Sequence, residues 1–262
     1  MIDYALVDRL GIGRQMFFPR PDVSPPPRGA EDFRIEVAPE IAVHARLHSA
    51  SRSSPTILFF HGNGEVVSDY DDVADVYRGI GLGFFIADYR GYGGSDGTPG
   101  FAAIIEDAHP IATRFHAILD ERGFTGKRFV MGRSMGSHPA LELGAKYPAR
   151  FSGLILESGV GHLSRLVRFF SGRPVTPEAQ ALFDAHADKV RSIKLPTLVM
   201  HGREDELVPV ETAIEFYGML TAPEKEMVVI PGVGHNDIFY RGRERYFAAI
   251  GAFTSAGSRS SP

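Results

Sequence analysis

The sequence predicts an α/β domain with one eight-stranded, mostly parallel sheet, helices on both faces and a short helical lid. Three observations lead there. From Thr56 onward, six short runs are almost wholly apolar (57–60, 84–87, 129–131, 154–156, 197–200 and 227–230), as strands buried on both faces of a parallel sheet must be. Stretches with apolar residues at helical spacing separate these runs. Ahead of them, 33–37 and 41–47 alternate apolar and polar residues around Pro39-Glu40, the pattern of an antiparallel pair.

Taken in order, residues 1–32 show little periodicity and carry Pro19, Pro21, Pro25, Pro26 and Pro27. That composition predicts an N-terminal extension lying partly extended on the surface of a domain spanning 33–253. The first apolar run ends in His61-Gly62-Asn63-Gly64. Ser68 or Asp69 is then placed to cap a helix whose apolar face is Tyr70, Val73, Val76, Tyr77 and Ile80. The second run ends at Asp88. Phe101, Ile104, Ile105, Ala108, Ile111, Phe115 and Leu119 then share one face of a long helix, which Pro110 is expected to kink. Later helices follow the third run, start near Pro209 (with Val210, Ala213, Ile214, Tyr217 and Leu220 inward) and start again near Asp237. An insertion at about 160–195 is the lid. Its Leu163, Leu166, Val167 and Phe170 fall at helical spacing with Arg165 and Arg168 between them. This is either an amphipathic cap lining an acyl pocket or a helix packed on the sheet edge. Residues 254–262, rich in Ser and Gly, read as a flexible tail. There is no internal repeat.

Composition excludes several classes of function. A net charge of −4 lacks the clustered Lys and Arg that a nucleic-acid partner requires. The absence of cysteine rules out disulfides, thiolate metal sites and a cysteine nucleophile. No basic, apolar leader opens the sequence and no stretch nears 18 apolar residues, so a cytoplasmic location without integral membrane contact is expected. Oligomeric state leaves no mark in the sequence.

The chemistry centres on Gly132-Arg133-Ser134-Met135-Gly136, between an apolar strand and a helix. A sharp turn there lifts the Ser134 hydroxyl clear of the backbone, and residues two before and two after it leave no room for a Cβ. Gly93-Gly94-Ser95-Asp96-Gly97 fits the same pattern but lacks the strand–turn–helix context, which makes Ser95 a loop residue. Serine attacks only when a base takes its proton, and the base needs an acid to fix its tautomer. His235, in the loop after the last strand, is the best-placed base. His61 and His201 belong to turns at strand ends, and His109, His116, His162 and His186 to helical patterns. Asp205, in the loop after 197–200, is the expected acid. Glu204 and Glu206 beside it read as solvated charges, and Glu157 is a weaker alternative. The oxyanion formed in acyl transfer needs preorganised N–H donors. Met135 N–H comes with the turn, and the second donor is expected from His61-Gly62-Asn63-Gly64, as the Asn63 N–H; the plain alternative is a glycine turn with no such duty.

Together these motifs resemble the serine α/β-hydrolase superfamily. The similarity is strongest to the small-lidded α/β-hydrolase-domain group with His-Gly-Asn, Asp-Tyr-Arg-Gly-Tyr-Gly and Gly-Arg-Ser-Met-Gly, and it covers about 33–250. The resemblance implies Ser134, Asp205 and His235 as catalytic triad, Asn63 and Met135 as oxyanion hole, and Arg90 as a structural brace. Some relatives are membrane-attached acyl-protein thioesterases that use an N-terminal cysteine cluster; this chain has none. Ser137 stands where many relatives carry Gly or Ala. The expected activity is hydrolysis of carboxylic esters of small to medium acyl groups, with thioesters second and amides or peptides third. The reaction needs no metal or cofactor. A non-catalytic binding protein on the same scaffold is the alternative from a different class.

Overall fold

The computed structural model describes residues 2–11, 16–159, 162–172 and 174–256. The side chain of Phe170 and the tail segment 257–262 lie outside the described residues. The alternating segments pair as antiparallel strands β1 (Ala30–Ala38) and β2 (Ile41–His48), with Ile35 opposite Val43 and Phe33 opposite Ala45. The apolar runs become β3 (Thr56–Phe60), β4 (Gly83–Ala87), β5 (Arg128–Arg133), β6 (Gly153–Glu157), β7 (Thr197–Gly202) and β8 (Lys225–Ile230). One sheet holds all eight in the order β1-β2-β4-β3-β5-β6-β7-β8. β2 runs antiparallel to β4, and every later pairing is parallel. The mixed, mostly parallel sheet expected from the sequence is therefore present.

The central strands bury both faces, and successive side chains divide between two cores. On one face Leu58, Phe60, Phe85, Val130, Leu154 and Leu156 pack under α3 (Phe101–Glu106), α4 (Ala108–Glu121) and α5 (Ser137–Lys146). On the other, Ile57, Phe59, Phe84, Met131, Ile155 and Leu198 meet α2 (Asp71–Gly79) and α10 (Arg243–Ala256). The lid region supplies α6 (Leu163–Ser171) and α7 (Pro177–Ser192). α8 (Val210–Met219) and the short α9 (Ile238–Arg241) complete the set. Among the described residues no helix is long and apolar enough to cross a membrane.

Four local expectations are corrected. Residues 2–32 carry a short helix, α1 (Ala5–Arg9), whose Val7 is buried. A 3₁₀ turn (Val67–Tyr70) precedes α2, and neither Ser68 nor Asp69 caps α2 itself: the Ser68 hydroxyl donates to Asp22, and Asp69 instead caps the 3₁₀ turn by accepting Val66 N–H at 2.9 Å. The long helix at 101–121 breaks at Asp107 rather than kinking at Pro110. Pro110 lies in the first turn of α4, where a missing N–H costs nothing. Asp107 instead binds both guanidinium arms of Arg90 at 2.7 and 2.6 Å, so Arg90 does brace this loop. Ile80 and Ile214, read as inward-facing, are 40% and 52% exposed: Ile80 follows the last residue of α2, and Ile214 turns away from the face of α8 that buries Thr212, Ala213 and Phe216.

Candidate active site

Ser134 begins a 3₁₀ turn (Ser134–Gly136) between the end of β5 and α5. Its φ is 51°, a left-handed conformation that costs a non-glycine residue on the order of 1–3 kcal/mol. Close backbone approach enforces it. A Cβ on Gly132 would lie 2.1 Å from Gly136 O, and one on Gly136 would lie 2.1 Å from Phe60 O. Ser137, at the first turn of α5, donates its hydroxyl to Ser134 O at 2.6 Å and so adds a further tie to the elbow. Ser95 sits elsewhere as a loop brace, its Oγ accepting His44 N–H at 2.9 Å.

Loops after β7 and β8 bring Asp205 and His235 to this turn. Ser134 Oγ lies 3.0 Å from His235 Nε2, and His235 Nδ1 lies 2.8 Å from Asp205 Oδ2. The other carboxylate oxygen of Asp205 accepts Leu207 N–H at 3.0 Å and Val208 N–H at 2.7 Å. His201 Nε2–H donates to Val208 O at 2.7 Å and stands 3.3 Å from Asp205 Oδ2. Burial alone would raise the Asp205 carboxyl, but His201, His235 and the Val208 amide outweigh it and hold it well below the usual carboxylate range. A permanent anion at Nδ1 keeps the proton on that nitrogen and leaves Nε2 bare toward Ser134.

The neighbouring acids have other duties. Glu204, expected to be a solvated charge, accepts Gly232 N–H at 2.7 Å and Val233 N–H at 3.2 Å, stapling the acid loop to the histidine loop. Glu206 is exposed. Glu157 is fully buried and engaged by Arg133 Nη1 at 2.9 Å and Tyr246 Oη at 2.8 Å. Burial pushes its carboxyl up, and Arg133 opposes that shift.

Arg133, only 2% exposed, is a site residue that local pattern did not reveal. Besides Glu157, it donates to Glu65 Oε1 at 2.9 Å, to His235 O at 2.9 Å and to Asn236 Oδ1 at 3.0 Å. Glu65 in turn accepts Gly62 N–H and Tyr70 Oη–H, each at 2.5 Å. One buried guanidinium thus ties the histidine loop to the turn that carries Asn63. Loss of this cation would leave the buried Glu157 carboxylate, and the half-buried Glu65, without it, a costly arrangement.

His61 lies beneath the same turn. Its Nδ1 faces Gly62 O at 2.8 Å and its Nε2 faces Asp88 Oδ1 at 3.1 Å, so both nitrogens meet acceptors. His44 likewise sits between Asp88 and Asp32, 3.2 Å from each. Burial opposes charge on both rings, yet the Asp88 carboxylate prevails and raises both above the ordinary histidine value. The stabilisation from a raised pKa is complete below the unfolded-state value near 6.5 and fades as pH climbs through the folded-state values. The melting temperature is therefore expected to fall from pH 6.5 upward, and to fall less steeply in His44→Gln. Thermal melts across pH 6 to 9 check this; a melting temperature that rises over that range contradicts it.

Ser134, Met135, Asn63 and His235 line one cavity of about 730 Å³. Leu166, Arg165 and Arg168 also line it, so α6 contributes to the cavity wall, while its Leu163 and Val167 are buried in the core. Phe18 and Met16 from the N-terminal segment and His138 from α5 complete the wall, and the sequence offered no local signal for any of them. Burial, then the nearby Lys189, pushes His138 down to about 3, so it is neutral. The Asn63 carboxamide faces the N-terminal segment, accepting Phe18 N–H at 3.0 Å and donating to Met16 O.

With this geometry in hand, similarity to known proteins becomes informative. The family described as serine aminopeptidase, S33, matches residues 51–174 and 177–239. The chain is 28% identical over 224 residues to protein bem46 of Schizosaccharomyces pombe, a match covering 80% of this chain and 70% of that protein. It is 30% identical over 207 residues to human alpha/beta hydrolase domain-containing protein 17B, covering 76% of this chain and 66% of that protein. Part of each relative therefore has no counterpart in the match. Among solved structures, the Pyrococcus furiosus esterase Pf2001 is similar at a TM-score of 0.72 and 19% identity, over 91% of this chain and 99% of that one; at that identity the likeness speaks for the fold alone.

Proposed function

The chain belongs to the serine aminopeptidase S33 family of α/β-hydrolases, and from that membership we propose a serine hydrolase that cleaves carboxylic esters through an acyl-enzyme. The observation that carries this reading is the relay of 3.0 and 2.8 Å from Ser134 through His235 to Asp205. His235 Nε2 takes the hydroxyl proton as Ser134 Oγ attacks the acyl carbonyl. The amides of Met135 and Asn63 donate to the resulting oxyanion; Glu65 already occupies the Gly62 amide, which favours Asn63 over its neighbour. His235 then protonates the departing alcohol, and water activated by the same nitrogen releases the acid. Thioesters fit the same chemistry. Amides rank third, since nothing in the cavity singles out a peptide.

Turnover of p-nitrophenyl acetate between pH 5 and 8 tests the proposal. A general base of this kind works only while unprotonated, so kcat/KM is expected to fall toward the acid side of that interval. A flat profile across that interval contradicts a histidine base. A folded protein that turns over no ester favours the non-catalytic alternative.

A further inference from the structure

We infer that the N-terminal strap, residues 16–22, is the wall that selects the substrate's apolar chain, with Phe18 the side chain that meets it. The inference rests on the hydrolase reading above and commits to an aliphatic acyl chain as the occupant. The strap lies outside the stretch matched by the family model. Met16 and Phe17 are buried at 2% and 6% and anchor it. Phe18 follows them at 63% exposure, a large aromatic ring left in water where it lines the catalytic cavity. Leu207, from the acid loop, lines the same cavity at 67% exposure, and Leu166 of the lid joins them. Large apolar side chains left in solvent around the mouth of a cavity mark the place where an apolar ligand covers them. Because the cavity is the one that holds Ser134 Oγ, the ligand is a chain attached to the scissile ester.

The strap is a fixed wall. Phe18 N–H donates to Asn63 Oδ1, which also accepts Tyr92 Oη–H at 2.7 Å, while Asn63 Nδ2 donates to Met16 O. Arg20 Nε–H donates to Gly64 O at 3.1 Å. The backbone then brackets Gly93, whose N–H donates to Arg20 O at 2.9 Å and whose carbonyl accepts Asp22 N–H at 3.2 Å. Displacing the strap would break these bonds to the very turn assigned to the oxyanion. A preformed apolar wall gains affinity from each methylene laid against it without a prior ordering cost.

The experiment compares kcat/KM for p-nitrophenyl acetate and p-nitrophenyl octanoate in the unmodified chain, Phe18→Ala and Phe18→Leu. Acetate has a single methyl beyond its carbonyl and so has the least apolar surface to lay against the wall. Octanoate turnover is expected to drop about tenfold in Phe18→Ala, as loss of part of a phenyl contact implies, and to recover largely in Phe18→Leu, with a much smaller loss on acetate in both. Equal losses on both esters, or no loss on either, overturn the strap's role and leave the hydrolase reading standing. If the unmodified protein turns over neither ester, the inference falls together with the reading beneath it.

Discussion

Ser134→Ala is expected to lower kcat on p-nitrophenyl esters by at least about 10⁴-fold while moving the melting temperature little. The rate loss follows from chemistry: the Oγ that would form the acyl bond is gone, and each tenfold corresponds to about 1.36 kcal/mol of barrier. The fold should survive because the left-handed turn is imposed by Gly132 and Gly136 meeting backbone oxygens, not by the serine side chain. Alanine meets the same φ of 51° with a similar penalty. Ser95 offers no replacement nucleophile, since its hydroxyl is held in a loop by the His44 amide. Steady-state rates with thermal melts check both halves. A variant that keeps its rate within roughly tenfold contradicts the role given to Ser134.

Asp205→Asn is expected to cost about 10⁴-fold in kcat through the wrong histidine tautomer. The asparagine carbonyl can still accept from Leu207 and Val208, so the loop keeps its shape. Its NH₂ then replaces the carboxylate oxygen that lies 2.8 Å from His235 Nδ1. A donor at that place asks Nδ1 to accept, which moves the imidazole proton to Nε2, where it faces Ser134 Oγ and removes the base. Glu157 cannot step in, because Arg133 and Tyr246 already claim both of its oxygens. Kinetics paired with melting temperature check this. A variant with near-normal kcat would move the acid's role elsewhere.

What could be read from the sequence was what is written in local periodicity and turn chemistry. Strands apolar on both faces announce a parallel sheet, and residues directly after such strands gather at one rim; Ser134, Asp205 and His235 were legible for that reason. The glycines at 132 and 136 carry a signature because their clash is between residues four apart or at a strand crossing. Arg133 shows the limit. Its partners lie at 65, 157, 235 and 236, and no spacing rule joins them. The strap is opaque for the same reason: prolines and poor patterning suggest an extended surface segment, and only the fold places Phe18 on the wall of the cavity that Ser134 also lines. The break at Asp107 was misassigned to Pro110 because a proline in a first turn looks, in sequence, like one in a helix interior. Glu204 is exposed, as expected of a solvated charge, but its two amide donors after β8 lie far along the chain, so its staple to the histidine loop left no local trace.

The most direct measurement is the location of a fluorophosphonate adduct by peptide mass spectrometry. Phosphonylation requires the same activated hydroxyl and the same oxyanion donors as acyl transfer, so it reports on the relay itself. One adduct per chain, on the peptide containing Ser134 and greatly slowed in His235→Ala, is the result expected. An adduct on another residue, Ser95 included, or an unlabelled chain that still hydrolyses esters, would contradict the triad.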